Sequence, residues 1–188
     1  RGGSKGIPQK NLRSLCGKPL IYYAITTAKK SEFKLDVVVT TDDDSIGSLS
    51  EKFGAVVIKR HSNLAKDDIT LDPVIYDAMV RSQLKFEIKY DIVITMQCTS
   101  PLLKSETLDK AINNFLLNDY HTMISVYPDS HLAWRIEGKH PIPLFGSRKN
   151  RQELDPIFKE TGSFLISSVN SISKETRIGH NVGLFIMP

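Results

Sequence analysis

Asp36-Val37-Val38-Val39-Thr40-Thr41-Asp42 is a continuous apolar run closed by an acidic residue at each end. A strand with one wet face alternates apolar and polar residues, whereas a strand buried on both faces does not alternate. The run therefore reads as a strand inside a sheet that carries helices on both sides. Asp91-Ile92-Val93-Ile94-Thr95-Met96 repeats the pattern. The segments around these two runs read as helices. Residues 19–30 place Leu20, Tyr23, Ala24, Thr27 and Ala28 on one face at the i, i+3, i+4 spacing. Residues 45–53 form a second helix stopped by Gly54, residues 55–59 a short strand, and residues 73–85 a third helix with Pro73 at an early position. The fourth helix, residues 105–117, has Ser105 as its cap and Leu108, Ala111, Ile112, Phe115 and Leu116 as its apolar stripe. Residues 122–126 are again a strand. Strands alternating with helices imply an α/β fold, three-layered, with a mainly parallel sheet.

From Tyr127 onward the texture changes. Residues 131–137 read as a strand, residues 138–151 are polar and rich in Pro, Gly, Lys and Arg, and residues 162–168 and 182–187 read as two further strands. The interruption, about residues 131–164, reads as an arm leaving the main sheet. Its apolar residues Leu132, Trp134, Ile142, Leu144 and Phe145 stand among polar ones. They have no core of their own, so burial against a second copy of the chain is expected. A phosphate-binding loop normally follows a strand, and none precedes Arg1. We therefore expect a first strand upstream, and further elements beyond Pro188.

A chain of 188 residues suits a single domain, residues 1–188, and its 40% hydrophobic and 24% charged residues are those of a globular protein rather than a disordered one. Much of the net charge of +4 lies in Arg1, Lys5, Lys10, Arg13 and Lys18. That clustering favours a local anion site over the broad basic stripe of a nucleic-acid surface. No apolar run approaches membrane-spanning length and no signal peptide is visible, which gives the expectation of a cytoplasmic protein with no membrane partner. Cys16 and Cys98 form no CxxC pair and read as reduced thiols, with a bridge between them left open.

Ligands of open parallel sheets sit beyond the carboxyl ends of the strands. Three segments meet there. The first is Arg1-Gly2-Gly3-Ser4-Lys5-Gly6-Ile7-Pro8-Gln9-Lys10-Asn11. Its glycines let backbone N–H groups curl toward an anion, and Arg and Lys add full charges. It lacks the Gly-Lys-Ser/Thr ending of a Walker A loop and the spacing of the dinucleotide fingerprint, and runs of this composition also read as flexible linkers. The second is Thr41-Asp42-Asp43. The third is Gln97-Cys98-Thr99-Ser100-Pro101, whose amide and hydroxyls suit a base or a sugar hydroxyl, or simply cap the helix that follows.

Taken in order, these segments resemble the acylneuraminate cytidylyltransferase family, the CMP-sialic acid synthetases. The opening loop and Gly17-Lys18-Pro19-Leu20-Ile21 are similar to that family's first motif and first helix. Thr40-Thr41-Asp42-Asp43 resembles its Ser-Thr-Asp turn. Arg60 with Leu64-Ala65-Lys66-Asp67 resembles its Arg-Pro…Leu-Ala-x-Asp motif, and Gln97-Cys98-Thr99-Ser100-Pro101-Leu102 its Gln-Pro-Thr-Ser-Pro-Leu. Arg151-Gln152-Glu153-Leu154 and Thr161-Gly162-Ser163-Phe164 resemble its Arg-Gln-x-Leu and Asn-Gly-x-x-Tyr segments. The resemblance implies a nucleotide-diphospho-sugar transferase (Rossmann-like) fold and a homodimer joined by the arms. It also implies an enzyme that joins an acidic nine-carbon 2-keto sugar to CTP with magnesium, releasing pyrophosphate.

The same resemblance assigns roles. Arg1 and Lys10 match positions that hold the triphosphate, with Ser4, Lys5 and Asn11 in the same loop. Arg60 and Thr70 fall where the family contacts the nucleotide, and Gln97, Thr99 and Ser100 where it contacts nucleotide and sugar. Arg1, Lys10 and Gln97 are thus the catalytic candidates. Arg151, Gln152 and Lys159 fall in the acidic-sugar region, with Trp134 and Arg148 as lesser candidates there. Cys98 replaces a proline, and so does His61, which reads as a surface residue. The family's magnesium carboxylates lie downstream of the strand ending at Met187, so the metal ligands stay unknown, and Asp42 and Asp43 read as a strand-end turn. Two alternatives remain: a cytidylyltransferase for the eight-carbon sugar KDO, and a nucleotide-binding module without catalysis.

Overall fold

The chain alternates strand and helix through its first two thirds, and the apolar runs are the strands. The computed structural model describes residues 2, 3 and 6–188. A small ribbon, β1 (Ser14–Leu15) and β2 (Lys18–Pro19), leads into α1 (Leu20–Lys29). Then follow β3 (Val38–Thr41), α2 (Asp44–Lys52), β4 (Val56–Lys59), α3 (Leu71–Phe86), β5 (Ile92–Met96) and α4 (Ser105–Leu117). The last third is β6 (Thr122–Asp129), a hairpin of β7 (Trp134–Glu137) and β8 (His140–Pro143), β9 (Ile157–Ser168) and β10 (Val182–Ile186).

β3 and β4 pair in parallel, Val38 opposite Val56 and Thr41 opposite Lys59. A second group runs β10-β6-β9-β5. There β10 is parallel to β6, while β9 is antiparallel to both its neighbours. The reversal follows from connectivity: the chain leaves the sheet along β6, turns through the β7–β8 hairpin, and comes back along β9. The architecture is the expected α/β fold with parallel pairing dominant among its crossover-connected strands.

The helices bury the apolar stripes that the periodicity marks, with two adjustments. In α1 the buried residues are Ile21, Ile25, Thr27 and Ala28. The stripe is turned away from Tyr23, whose hydroxyl donates to the Leu15 carbonyl of the preceding ribbon. In α4, Leu108, Ala111, Ile112 and Phe115 are buried together with Met123 and Ile166 of β6 and β9, whereas Leu116 is half exposed. Ser105 does not cap α4. Lys104 holds the cap position, because helical bonding starts with the Leu108 N–H on the Lys104 carbonyl (3.2 Å), leaving Ser105 as the first helical residue. α2 has a true cap: Asp43 accepts from the Ile46 N–H at 3.0 Å. Gly54 follows its last turn.

Two polar groups, Asp109 and the less buried Arg177, tie the layers. Asp109 of α4 accepts from the Ser31 hydroxyl and from the Glu32 N–H (3.1 Å), fixing the end of α1 against α4. Arg177 donates to Asp72 of α3 at 2.9 Å, while its carbonyl accepts from Ser167 (2.7 Å) and Thr122 (3.2 Å). The loop between β9 and β10 is thereby held to both the sheet and a helix.

The sharpest local feature is a bulge. β6 and β9 pair as Ile124 with Leu165, and then as Val126 with Glu160. Four residues of β9, 161–164, therefore face the single residue Ser125. Ser125 is fully buried. Its hydroxyl donates to the Phe164 carbonyl (2.8 Å), accepts from the Phe164 N–H (3.1 Å) and lies 2.7 Å from the Thr161 hydroxyl. One side chain thus supplies the bonds that the interrupted ladder loses. Ser125→Ala leaves the Phe164 backbone groups unpaired inside the sheet, and should cost about 1–3 kcal/mol; urea unfolding, with the same slope and a lower midpoint, is the measurement that checks it.

Candidate functional site

The carboxyl ends of β3 and β5 open into one cleft of about 1190 Å³. Lys10, Asn11, Arg60, Thr70, Gln97 and Thr99 all line it. These residues come from four separate stretches of sequence, and the fold brings them to one mouth.

Each is placed by a local cause. Lys10 and Asn11 lie in a 3₁₀ turn, Lys10–Leu12, closed by Lys10 N–H on the Ile7 carbonyl (3.2 Å) and Arg13 N–H on the Lys10 carbonyl (3.1 Å). The start of the loop is pinned to the end of β3, where the Gly2 N–H donates to Asp42 Oδ1 at 3.2 Å. A Cβ on Gly2 would stand 2.5 Å from Asp43 Oδ2, so a larger residue here would have to displace the Asp43 side chain that caps α2. Arg60 follows β4 directly. Its N–H donates to the Thr41 carbonyl (2.8 Å) and its guanidinium to the Thr40 carbonyl (2.8 Å), which lays the cation across the end of β3. Gln97 is the first residue after β5, and Gly162 of the bulge stands beside it. A Cβ there would lie 3.6 Å from Gln97 Nε2. Gly162 has φ +70°, a conformation costly for any other residue. Bulges commonly re-aim a strand beside a site, and this one carries β9 past Gln97.

Burial pushes the Cys98 thiol above its ordinary pKa, with Lys10 nearby pulling the other way. Cys98 therefore stands in the wall as a neutral apolar group. Both cysteines are free thiols. Lys66 and Asp67 also line the cleft; the sequence marks them as part of a motif without singling them out as site residues. Ser100 belongs to the same turn, its N–H 3.4 Å from the Gln97 carbonyl, but is not on the cleft wall. Arg1, Ser4 and Lys5 lie outside the described residues. His61 is exposed and starts the 3₁₀ turn Ser62–Leu64, as its surface reading requires.

The acidic-sugar candidates lie elsewhere in this chain. Arg151 and Gln152 are exposed in the 3₁₀ turn Arg151–Glu153, Arg148 is exposed just before it, and Trp134 packs edge-on against Phe145 at 5.4 Å. None of them, nor Lys159, lines the cleft. Lys159 is bound to Asp129, which also accepts from His131. These bonds, Lys159 first, hold the Asp129 carboxyl down at about 2, and Asp129 in turn raises the Lys159 pKa. Nothing local in the sequence signals Asp129, because its partner lies thirty residues on, across an antiparallel pair.

Among the described residues no group of three His, Cys, Asp or Glu side chains is arranged to hold a metal ion. Asp42 and Asp43 are committed to the Gly2 N–H and to the cap of α2, as the strand-end reading expects. The described side chains do not by themselves fit a magnesium cage. No helix among the described residues is long and apolar enough to cross a membrane.

A cationic, amide- and hydroxyl-lined mouth at the carboxyl ends of an α/β sheet stands where such sheets bind their ligands, and suits an anionic one such as a nucleotide. Comparison with known proteins makes the class specific. The cytidylyltransferase family model matches residues 1–147. "Post-translational flagellin modification protein B" of Campylobacter coli is 31% identical over the whole of this chain and 83% of its own length. The pseudaminic acid cytidylyltransferase of Campylobacter jejuni is 30% identical over the whole chain and 84% of its own. Among solved structures, a CMP:2-keto-3-deoxy-manno-octonic acid synthetase complexed with CTP superposes with TM-score 0.71 at 15% identity, over 99% of this chain and 86% of that one. The chain belongs to the cytidylyltransferase family, and its fold is that of the nucleotide-diphospho-sugar transferases.

The Asp129 pairing makes a pH prediction. A carboxyl held at about 2 when folded and near 3.9 when unfolded stabilises the fold fully above the unfolded value, and loses that contribution as pH falls through the folded value. The stability gap between the native protein and Asp129→Asn should close between about pH 4 and 2, as read by urea unfolding across that range.

Proposed function

We propose that the protein joins CTP to an acidic nine-carbon 2-keto sugar, releasing pyrophosphate and the CMP-sugar. The observation that carries this reading is the meeting of Lys10, Asn11, Arg60, Thr70, Gln97 and Thr99 on one cleft, in a chain whose relative is named for pseudaminic acid. In this reading the anomeric hydroxyl of the sugar attacks the α-phosphorus in line. The new P–O bond forms as the bond to the β-phosphate breaks, and the hydroxyl proton passes to solvent. Positioning and charge neutralisation supply most of the rate. Lys10, with Arg1, neutralises the charge that grows on the leaving pyrophosphate. Arg60 and Thr70 hold the nucleotide, and Gln97 and Thr99 orient base and sugar. Magnesium, if used, would be held largely by the substrate's own phosphates and would neutralise part of their charge. Two free thiols suit a reducing compartment, the cytoplasm.

The assay is pyrophosphate release from CTP with magnesium and a panel of sialic, legionaminic and pseudaminic acids, KDN and KDO. At least one nine-carbon acid should support release, KDO should not, and Lys10→Ala should lower the rate by about 10²–10³ at saturating substrate. Release with KDO alone would make the eight-carbon reading the right one. CTP binding without release across the panel would leave a nucleotide-binding module.

The arm completes the proposal. Trp134, Ile136, Leu144, Ile157 and Phe158 are exposed apolar residues on β7, β9 and the link between them, and the sugar candidates Arg151, Gln152 and Lys159 ride on the same arm. We take the arm to cross to a second copy and to place these residues at the partner's cleft. Light scattering at micromolar concentration should give a dimer mass. Mixing Lys10→Ala with Arg151→Ala subunits should restore about a quarter of the native rate, since roughly half the dimers are mixed and each keeps one whole site.

A further inference from the structure

The ladder between β5 and β9 stops where one more step is open to it. It runs from Ile92 opposite Ser168 to Met96 opposite Phe164, and a further step would set Gln97 opposite Ser163. Successive residues of an antiparallel strand turn their backbone groups to alternate sides. Both groups of Phe164 turn to Ser125 on the β6 side, so those of Ser163 belong to the β5 side, where the Gln97 carbonyl is next in line. Ser163 is buried, and a buried N–H must find a partner. It finds the Thr161 hydroxyl, at 3.2 Å. The Gln97 carbonyl accepts from the Ser100 N–H (3.4 Å), and the chain turns there. Gln97 and Thr99, both in that turn, line the cleft.

Thr161 is free to accept because its own proton is directed elsewhere. A hydroxyl has one donor and two acceptor lone pairs. Ser125 gives its proton to the Phe164 carbonyl (2.8 Å). The Ser125 and Thr161 hydroxyls lie 2.7 Å apart, so the proton between them comes from Thr161, with the Ser125 carbonyl at 3.2 Å as its other acceptor. Every capacity of the buried Ser125 hydroxyl is then used, since it also accepts from the Phe164 N–H (3.1 Å). β9 lies between β6 and β5. A relay thus crosses the sheet, from Ser125 on β6 through Thr161 on β9 to the end of β5. Gly162 stands between the two ends of this clamp, and its φ of +70° lets the chain double back there.

We propose that Thr161, backed by Ser125, is a positioning residue for the cleft: by taking the Ser163 N–H it ends β5 at Met96 and turns Gln97 and Thr99 toward the ligand. Without that hydroxyl the Ser163 N–H has the Gln97 carbonyl as its next partner in the ladder. β5 then lengthens by a residue, and the turn from Gln97 to Ser100 opens. What Gln97 and Thr99 do to substrate rests on the function proposed above; the position of their turn does not.

Cys98 reports on this turn without any ligand. It lies between Gln97 and Thr99 and packs against the cluster of Ile21, Ile25, Ile46 and Ala55, which shields its thiol. The test uses a Cys16→Ser background, which leaves Cys98 as the one thiol of the chain. There Thr161→Val should raise the rate of Cys98 alkylation by iodoacetamide roughly tenfold or more, because thiol reactivity follows access. Thr161→Ser, which keeps the hydroxyl, should alkylate at the native rate. So should Ile172→Ala, which empties a buried site beyond the amino end of β5. Should Thr161→Val not fold, Ser125→Ala removes the other half of the relay and is read in its place. An unchanged rate in these hydroxyl-less variants overturns the proposal, and so does an equal rise with Thr161→Ser or Ile172→Ala. With a sugar that supports release, Thr161→Val should lower the rate at saturating substrate by roughly ten- to a hundredfold. Added to Gln97→Ala it should cost nothing more; independent losses overturn the proposal too. The labelling needs neither CTP nor sugar, so a failed panel assay counts against the proposed function alone.

Discussion

The structure depends on how one antiparallel strand is accommodated among parallel ones. β9 enters between β5 and β6 against the direction of both, and the mismatch is absorbed at Ser125. A buried hydroxyl that both donates to and accepts from Phe164 substitutes for ladder bonds that the bulge removes. A buried backbone group without a partner costs as much as a lost hydrogen bond, so the bulge is stable only because that serine is there. Three consequences follow along β9. On the core side Phe164 and Ile166 pack into the main cluster. At the bulge Gly162 passes beside Gln97. Beyond it, Lys159 reaches Asp129 and the strand continues into the arm. Core, cleft and arm are successive stations on one strand, and their spacing is set by a single irregularity.

The cleft divides by chemistry along its depth. At the mouth the strand ends offer backbone carbonyls, which attract cations, and Arg60 answers two of the available groups on β3 through its own N–H and its guanidinium. Lys10 reaches the same space from a turn. A phosphate-bearing ligand would replace carbonyl–cation contacts with stronger charge-assisted ones. Deeper in, between the strands, the walls are largely aliphatic, and the charged residues Lys34, Asp36, Lys89 and Asp91 return only at the far, amino end. The cationic groups Lys10 and Arg60 thus stand at the carboxyl ends of the strands, where an open α/β sheet places its ligands.

Much of this was legible in the residues. The runs at Val38 and Ile92 read as doubly buried strands because they lack alternation, and both are strands. The helices were legible from their apolar spacing, since each buries one stripe. Boundaries and faces were less so. Ser105 looks like a cap by type, but capping depends on where helical bonding starts, and that is set by the turn before it. In α1, Tyr23 fits the apolar spacing, yet its hydroxyl finds a better partner in the Leu15 carbonyl, and the stripe turns toward Ile21 and Ile25. The direction of β9, the bulge and the Asp129–Lys159 pair were not legible at all. Each joins residues thirty or more positions apart, and local pattern carries no information about register across such a gap.

The cleft candidates and the arm candidates differ in how they are held, and the difference bears on what each can recognise. Arg60 and Gln97 follow directly on strands, and Lys10 sits in a closed 3₁₀ turn; such positions move little and suit a ligand whose shape does not vary. Arg151 and Gln152 are exposed on a short turn between β8 and β9, and Lys159 is the exposed member of an ion pair whose other half, Asp129, is largely covered. An ammonium held by one carboxylate keeps donors free for a second, without the fixed two-point geometry that a guanidinium would impose. In the proposed function the fixed groups on the strands would take the constant nucleotide, and the adaptable ones on the arm the variable acid.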